Sequence, residues 1–92
     1  MASTPYSVLI VDDNDLMRTL LRGILRGETF QVTSEAKNGV LALESIEKSK
    51  PDIVFLDVMM PEMDGLETLQ AIKAKHPKKI EIMITGKPSA EN

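Results

Sequence analysis

The stretch Ile53-Val54-Phe55-Leu56-Asp57-Val58-Met59-Met60-Pro61-Glu62-Met63-Asp64-Gly65 decides how this chain folds. Four apolar residues, β-branched and aromatic members among them, run without interruption into an acid. Such a run reads as a strand buried on both faces, as in a parallel sheet. Pro61 breaks the chain and Asp64-Gly65 turns it. Asp57 therefore stands where the strand leaves the core. Ligands of open parallel α/β sheets bind at that end. A carboxylate there is placed for chemistry and poorly placed for packing.

A second run has the same shape: Val8-Leu9-Ile10-Val11 leads into Asp12-Asp13. If the two runs are neighbouring parallel strands, three carboxylates meet at one sheet end. Their like charges repel unless a cation sits among them. Mg2+ suits such a site, because it is hard, keeps several waters and takes one or two carboxylates.

The rest of the composition narrows the class. Ninety-two residues make one small domain, and 42% hydrophobic with 27% charged content is that of a globular chain. Only Tyr6, Phe30 and Phe55 are aromatic, so the core is aliphatic. A net charge of −3 gives no reason to expect nucleic acid or an acidic membrane surface. The acids gather near the expected site, at Asp12, Asp13, Asp15, Asp57, Glu62 and Asp64. With no cysteine, a disulfide framework and a thiolate metal site are excluded. No apolar run approaches a membrane span, and 1–5 is a short polar lead without the pattern of a signal peptide, so the cytoplasm is the expected compartment.

In chain order, Tyr6 to Val11 reads as the first strand. Asn14 and Asp15 suit a helix start. Leu16, Met17, Leu20, Leu21, Ile24 and Leu25 then fall at helical spacing, with Arg18, Arg22 and Arg26 expected on the wet face and Gly27 closing the helix. Phe30, Val32, Ser34 and Ala36 alternate with polar residues and predict a strand from Phe30 to Ala36. A second helix from Val40 to Ser49 is expected to bury Val40, Leu43 and Ile46 before Pro51 stops it. A third, from Gly65 to Lys75, is expected to bury Leu66, Leu69 and Ile72. His76-Pro77 ends it, with His76 expected in solvent. Ile80 to Thr85 reads as the fourth strand. The order βαβαβαβ predicts an open, doubly wound parallel sheet with right-handed crossovers.

These residues resemble the receiver domain of bacterial two-component response regulators. The likeness rests on Val11-Asp12-Asp13, Asp57, the loop Met60-Pro61-Glu62-Met63-Asp64-Gly65, Ile84-Thr85 and Asn38-Gly39. Each piece alone is weak. Their order and placement together are specific, and cover the chain from Ser7 onward. The resemblance implies a flavodoxin-like strand order, 2-1-3-4 here, over residues 6–92. It implies that Asp57 is a phosphoacceptor charged by a sensor histidine kinase or a phosphotransfer protein. It further implies that Asp13, Asp57 and the backbone carbonyl of Met59 bind Mg2+, that Asp12 acts mostly through a metal-bound water, and that Thr85 is the switch hydroxyl. Such a domain is a signalling phosphoacceptor and not an enzyme in the usual sense.

One departure from the family pattern is large. Receivers of this type continue through a fourth helix, a fifth strand ending in Lys-Pro, and a fifth helix, none of which follows here. Lys87-Pro88 comes only two residues after Thr85, so it reads as the loop toward a fourth helix and not as the family lysine. Two functions follow from this. One is a phosphoacceptor domain. The other is an interaction module with weak or no phosphotransfer, which self-associates through the open edge of the fourth strand.

Overall fold

The computed structural model describes residues 5–27, 29–57, 65–76 and 80–85, the last three as backbone. The elements follow the expected order: β1 (Tyr6–Val11), α1 (Asp15–Ile24), β2 (Phe30–Ala36), α2 (Gly39–Ser49), β3 (Ile53–Asp57), α3 (Gly65–Lys75) and β4 (Glu81–Thr85). The strands form one parallel sheet in the order β2-β1-β3-β4. This is the flavodoxin-like doubly wound arrangement, and no fourth helix, fifth strand or fifth helix appears among the described residues.

β1 is central, and Val8 through Val11 are fully buried. Its alternate residues serve two separate cores. Leu9 and Val11 join Val54 and Leu56 of β3 with Ala42 and Ile46 of α2 and Ile72 of α3. Val8 and Ile10 pack with Leu25 just beyond α1, flanked by half-buried Leu21, Phe30, Val32, Ile53 and Phe55. Among the described residues, two helices thus cover one face and one helix covers the other. At the opposite end from Asp57, Asp52 fastens three strands. Its amide donates to the Ser7 carbonyl at 2.9 Å, its Oδ2 accepts from the Ser7 amide at 2.8 Å, and its carbonyl accepts from the Glu81 amide at 3.0 Å.

The helices begin on asparagine. The Asn14 side chain accepts from the Met17 amide at 3.1 Å, and Asn38 accepts from Leu41 at 2.8 Å, each satisfying one free donor of a first turn. The residue pair Asn38-Gly39 is therefore a helix start as well as a turn. α2 ends on Lys50 in the left-handed region, φ 47°, ahead of Pro51, which cannot continue a helix. α1 ends earlier than expected, capped by Leu25, with Gly27 two residues further on.

Several burial expectations are corrected. In α2, Ala42 is buried and Val40 is exposed. In α3, Thr68 is buried and Leu66 is exposed. In both helices the inward line starts on the glycine at the first position, so a larger residue next to it turns outward. α1 departs most. Leu16, Met17, Leu20 and Ile24 are exposed, while Arg18 is largely covered. The apolar arc of α1 is wider than the strip of sheet beneath it, and only its Leu21 and Leu25 side faces inward. His76, expected in solvent, is half-buried, with Nε2 3.5 Å from a Glu47 oxygen across the α2–α3 contact.

β2 also deviates from simple alternation. β1 pairs Val8 with Val32 but Leu9 with Ser34, so Thr33 is an extra residue in β2. The bulge inverts the facing of everything after it. Phe30 and Val32 pack on the α1 side. Ser34 then bonds Ser49 of α2 at 3.3 Å, Ala36 enters the α2/α3 core, and Glu35 turns toward α1.

Candidate functional site

β1 and β3 are adjacent, with Val11 opposite Leu56, so the residues that follow both strands leave the sheet side by side. Carboxylate oxygens of Asp12, Asp13 and Asp57 lie within 4.8 Å of one another. Asp12 and Asp57 are buried, with 4% and 8% exposure, whereas Asp13 opens to solvent. Two anchored acids and one accessible acid make a cluster able to chelate a metal ion from outside. The donors are all hard oxygens, which fits Mg2+ and similar cations and does not fit a thiophilic metal.

Asp12 is held through its amide, its carbonyl and Oδ1. Its amide donates to the Ala36 carbonyl of β2 at 3.0 Å. Its Oδ1 accepts from the Asn14 amide at 2.9 Å. Its carbonyl accepts from Arg18 Nη1 at 2.6 Å. Burial pushes the Asp12 carboxyl above the usual carboxylate range, and the Asn14 bond works in the opposite direction. The charges of Asp57 and Asp13, and a hydrogen bond with Asp57, add to the upward push. A protein that buries a carboxylate beside two others leaves a place where a divalent cation relieves strain among like charges.

Asp57 pairs in register with Thr85 at the end of β4, which puts the expected switch residue on the neighbouring strand at the same level. The Thr85 side chain, Met59 and Lys87 lie outside the described residues. Reading the sequence missed Arg18 and Glu35 as neighbours of the site. Arg18 Nε donates to Glu35 Oε1 at 3.0 Å, and Arg22 Nη1 donates to Glu35 Oε2 at 2.5 Å. Only the bulge at Thr33 brings Glu35 to that face, and no residue type in β2 announces the bulge.

Comparison with known proteins agrees with this geometry. The response regulator receiver domain family matches residues 8–92. The chemotaxis protein CheY of Listeria monocytogenes is 50% identical over 79 residues, covering 86% of this chain and 66% of that protein. The chain thus spans just under two thirds of the length of that relative. Among solved structures, the CheX–CheY–BeF3–Mg2+ complex from Borrelia burgdorferi superimposes with a TM-score of 0.82 at 32% identity, over 90% of this chain and 65% of the other. The N-terminal domain of a response regulator receiver protein from Methanoculleus marisnigri gives 0.80 at 33% identity, over 92% and 70%.

Proposed function

The chain belongs to the response regulator receiver family, and from that premise we propose that Asp57 accepts a phosphoryl group from a phosphohistidine of a sensor kinase or phosphotransfer protein, with Mg2+ held by Asp13 and Asp57. The observation that carries this reading is the meeting of three carboxylates within 4.8 Å at the ends of β1 and β3. A Mg2+-containing complex of a similarly folded CheY supports the choice of metal.

In the step proposed, an Asp57 oxygen attacks phosphorus. A P–O bond forms, the P–N bond breaks, its electron pair stays on the imidazole nitrogen, and that nitrogen takes a proton from water. Mg2+, when bound, supplies positive charge against the phosphoryl oxygens. Asp12 holds its place in the turn and would help hold the metal indirectly, through a water. The Met59 carbonyl is the proposed third protein ligand, and the Thr85 hydroxyl the donor to a phosphoryl oxygen.

Incubation with acetyl phosphate and Mg2+, followed by intact-mass measurement, tests this. One phosphate should add to the wild-type chain and none to Asp57→Asn. Phosphate on Asp57→Asn, or none on wild type, overturns the reading.

A second reading is favoured by β4, which pairs with β3 along one edge and has no partner along the other among the described residues. An open edge is a template for another strand. In this reading the chain is an interaction module that self-associates through β4. A concentration series followed by light scattering separates the two. Association without phosphate uptake supports the module, and a monomer at all concentrations excludes it.

A further inference from the structure

We propose that Arg18 is a positioning residue for the metal site, holding the Asp12-Asp13 turn in its chelating geometry through the Asp12 carbonyl. The proposal rests on the reading of the acid cluster as a cation site and extends it to a residue on α1 that touches no carboxylate of the cluster in any contact described.

Arg18 lies in the second turn of α1. Side chains on a helix lean toward its N-terminus, so that of Arg18 reaches back over the turn that carries the acids. Its guanidinium spends all three nitrogens. Nη1 donates to the Asp12 carbonyl at 2.6 Å, Nε donates to Glu35 at 3.0 Å, and Nη2 pairs with Asp15. The side chain is only 15% exposed, and its bonds to the Asp12 carbonyl and Glu35 are part-buried, whereas its Asp15 partner is 90% exposed. A planar fork of fixed donors suits such a three-way junction, and a lysine does not reproduce it.

The contacts close a ring. The Asp12 amide is bound to the Ala36 carbonyl, and the Asp12 carbonyl is bound through Arg18 to Glu35, the residue before Ala36. Both ends of the Asp12 residue are thereby fixed to one dipeptide of β2. Asp12 Oδ1 in turn receives the Asn14 amide, which sets the start of α1 and the exit of Asp13. The bulge at Thr33 is what points Glu35 at Arg18 and leaves Ala36 in register with Val11. Arg22 shares Glu35 but makes no bond to Asp12, so it serves as a built-in control.

Two roles for Arg18 predict opposite signs. If it acted only as a positive charge near the acids, removing it would tighten cation binding, because a competing charge would be lost. If it positions the turn, removing it weakens binding, in the way that loss of an outer-shell partner commonly costs 10–100-fold in metal affinity. We expect Arg18→Met to weaken Mg2+ binding by about tenfold. Arg18→Lys should recover only part of the loss, and Arg22→Met should stay within about twofold of wild type.

The test is calorimetric titration of the whole chain with Mg2+ alone, joined to amide hydrogen exchange in chelator. In the absence of metal, Arg18→Met should speed exchange of the Asp12 and Asn14 amides by about tenfold or more without a matching change in the amides of α3. Tighter Mg2+ binding by Arg18→Met, or unchanged Asp12 and Asn14 exchange in both Arg18 variants, overturns the proposal. A wild-type chain that fails to bind Mg2+ overturns the cation site itself. The exchange measurement still decides whether Arg18 holds the turn. If Arg18→Met fails to fold, the Arg18→Lys chain carries the same two readouts, and wild-type affinity in it counts against the proposal.

Discussion

On β3, Val54 and Leu56 are fully buried in the core built with α2 and α3, whereas Ile53 and Phe55, on the opposite face, are only half-buried on the side of α1. The residues on the two sides are equally apolar. The difference lies in what covers them. Among the described residues, two helices meet over the first face and touch each other, and one helix lies over the second. α1 itself repeats the contrast, with Leu25 just past its end buried and Ile24 75% exposed. Apolar character sets how much a side chain gains from burial, and the neighbouring elements decide whether the gain is realised.

The largest effects should fall on the well-covered face. Ile72→Ala removes a fully buried side chain between α3 and the sheet and should cost about 2–5 kcal/mol. Phe55→Ala deletes a larger group, yet should cost less than Ile72→Ala, because Phe55 already meets water. Urea midpoints of the two variants measure the asymmetry directly. Equal losses would mean that the α1 face is as well packed as the other.

The acid cluster belongs to the thinly covered side, since Asp12 and Asp13 form the turn into α1. A cation bound there should fasten that side. At about 100 times its dissociation constant, Mg2+ should add about 2.7 kcal/mol if the unfolded chain does not bind it. Exchange protection should rise more in α1 than in α3. Asp57→Asn should blunt the metal effect. In chelator it should raise stability, because carboxylates whose oxygens lie within 4.8 Å of one another repel, at about 3 kcal/mol for an effective dielectric near 20 before salt screening. Thermal melts with and without Mg2+ test both statements. A melting temperature indifferent to metal would count against the site.

A smaller effect follows from Asp12. Its carboxyl is raised from an ordinary value of 3.8, chiefly by burial. Between the ordinary and the raised value, the folded chain holds more protons than the unfolded one, so stability from this group falls as pH rises. Above the raised value the cost is constant. Compared in chelator, wild type should therefore fall behind Asp12→Asn as pH climbs from about 4, and the gap should level off once pH passes the raised value. A gap that shrinks with rising pH would reverse the sign and refute the burial of a charged Asp12.

The strands and the acid site were legible because each rests on a local pattern. Two apolar runs, each ending in acid, give two buried parallel strands, while their adjacency comes from the strand order that the family resemblance implies. Asn14 announces α1 by its capping chemistry. What the chain order did not reveal depends on contacts between distant elements. The bulge at Thr33 shifts a register that alternation alone assigns wrongly. Arg18 is indistinguishable in sequence from a solvated arginine until Glu35 faces it. Val40 and Leu66 lose their expected burial because Gly39 and Gly65 begin the inward line of their helices. The apolar stripe of α1 reads as core from its spacing, and among the described residues no second helix lies beside α1 to cover Leu16, Leu20 and Ile24.

That stripe gives the smallest change in stability and the sharpest test of the comparison. Ile24→Lys replaces an exposed apolar residue and should alter the urea midpoint by no more than about 0.5 kcal/mol in equivalent stability. It should nonetheless lower the binding of a hydrophobic dye, because Leu16, Leu20 and Ile24 form much of the apolar surface left uncovered. If the chain associates through the β4 edge, the contact is backbone pairing and should survive the substitution, since Ile24 lies on α1 and not on β4. Light scattering at a series of concentrations, with wild type and Ile24→Lys side by side, reads this out. If the variant stays monomeric where wild type assembles, the α1 stripe and not the strand edge is the contact. If Ile24→Lys costs several kcal/mol, Ile24 is packed, and the contrast between the two faces of the sheet fails at the residue where it is largest.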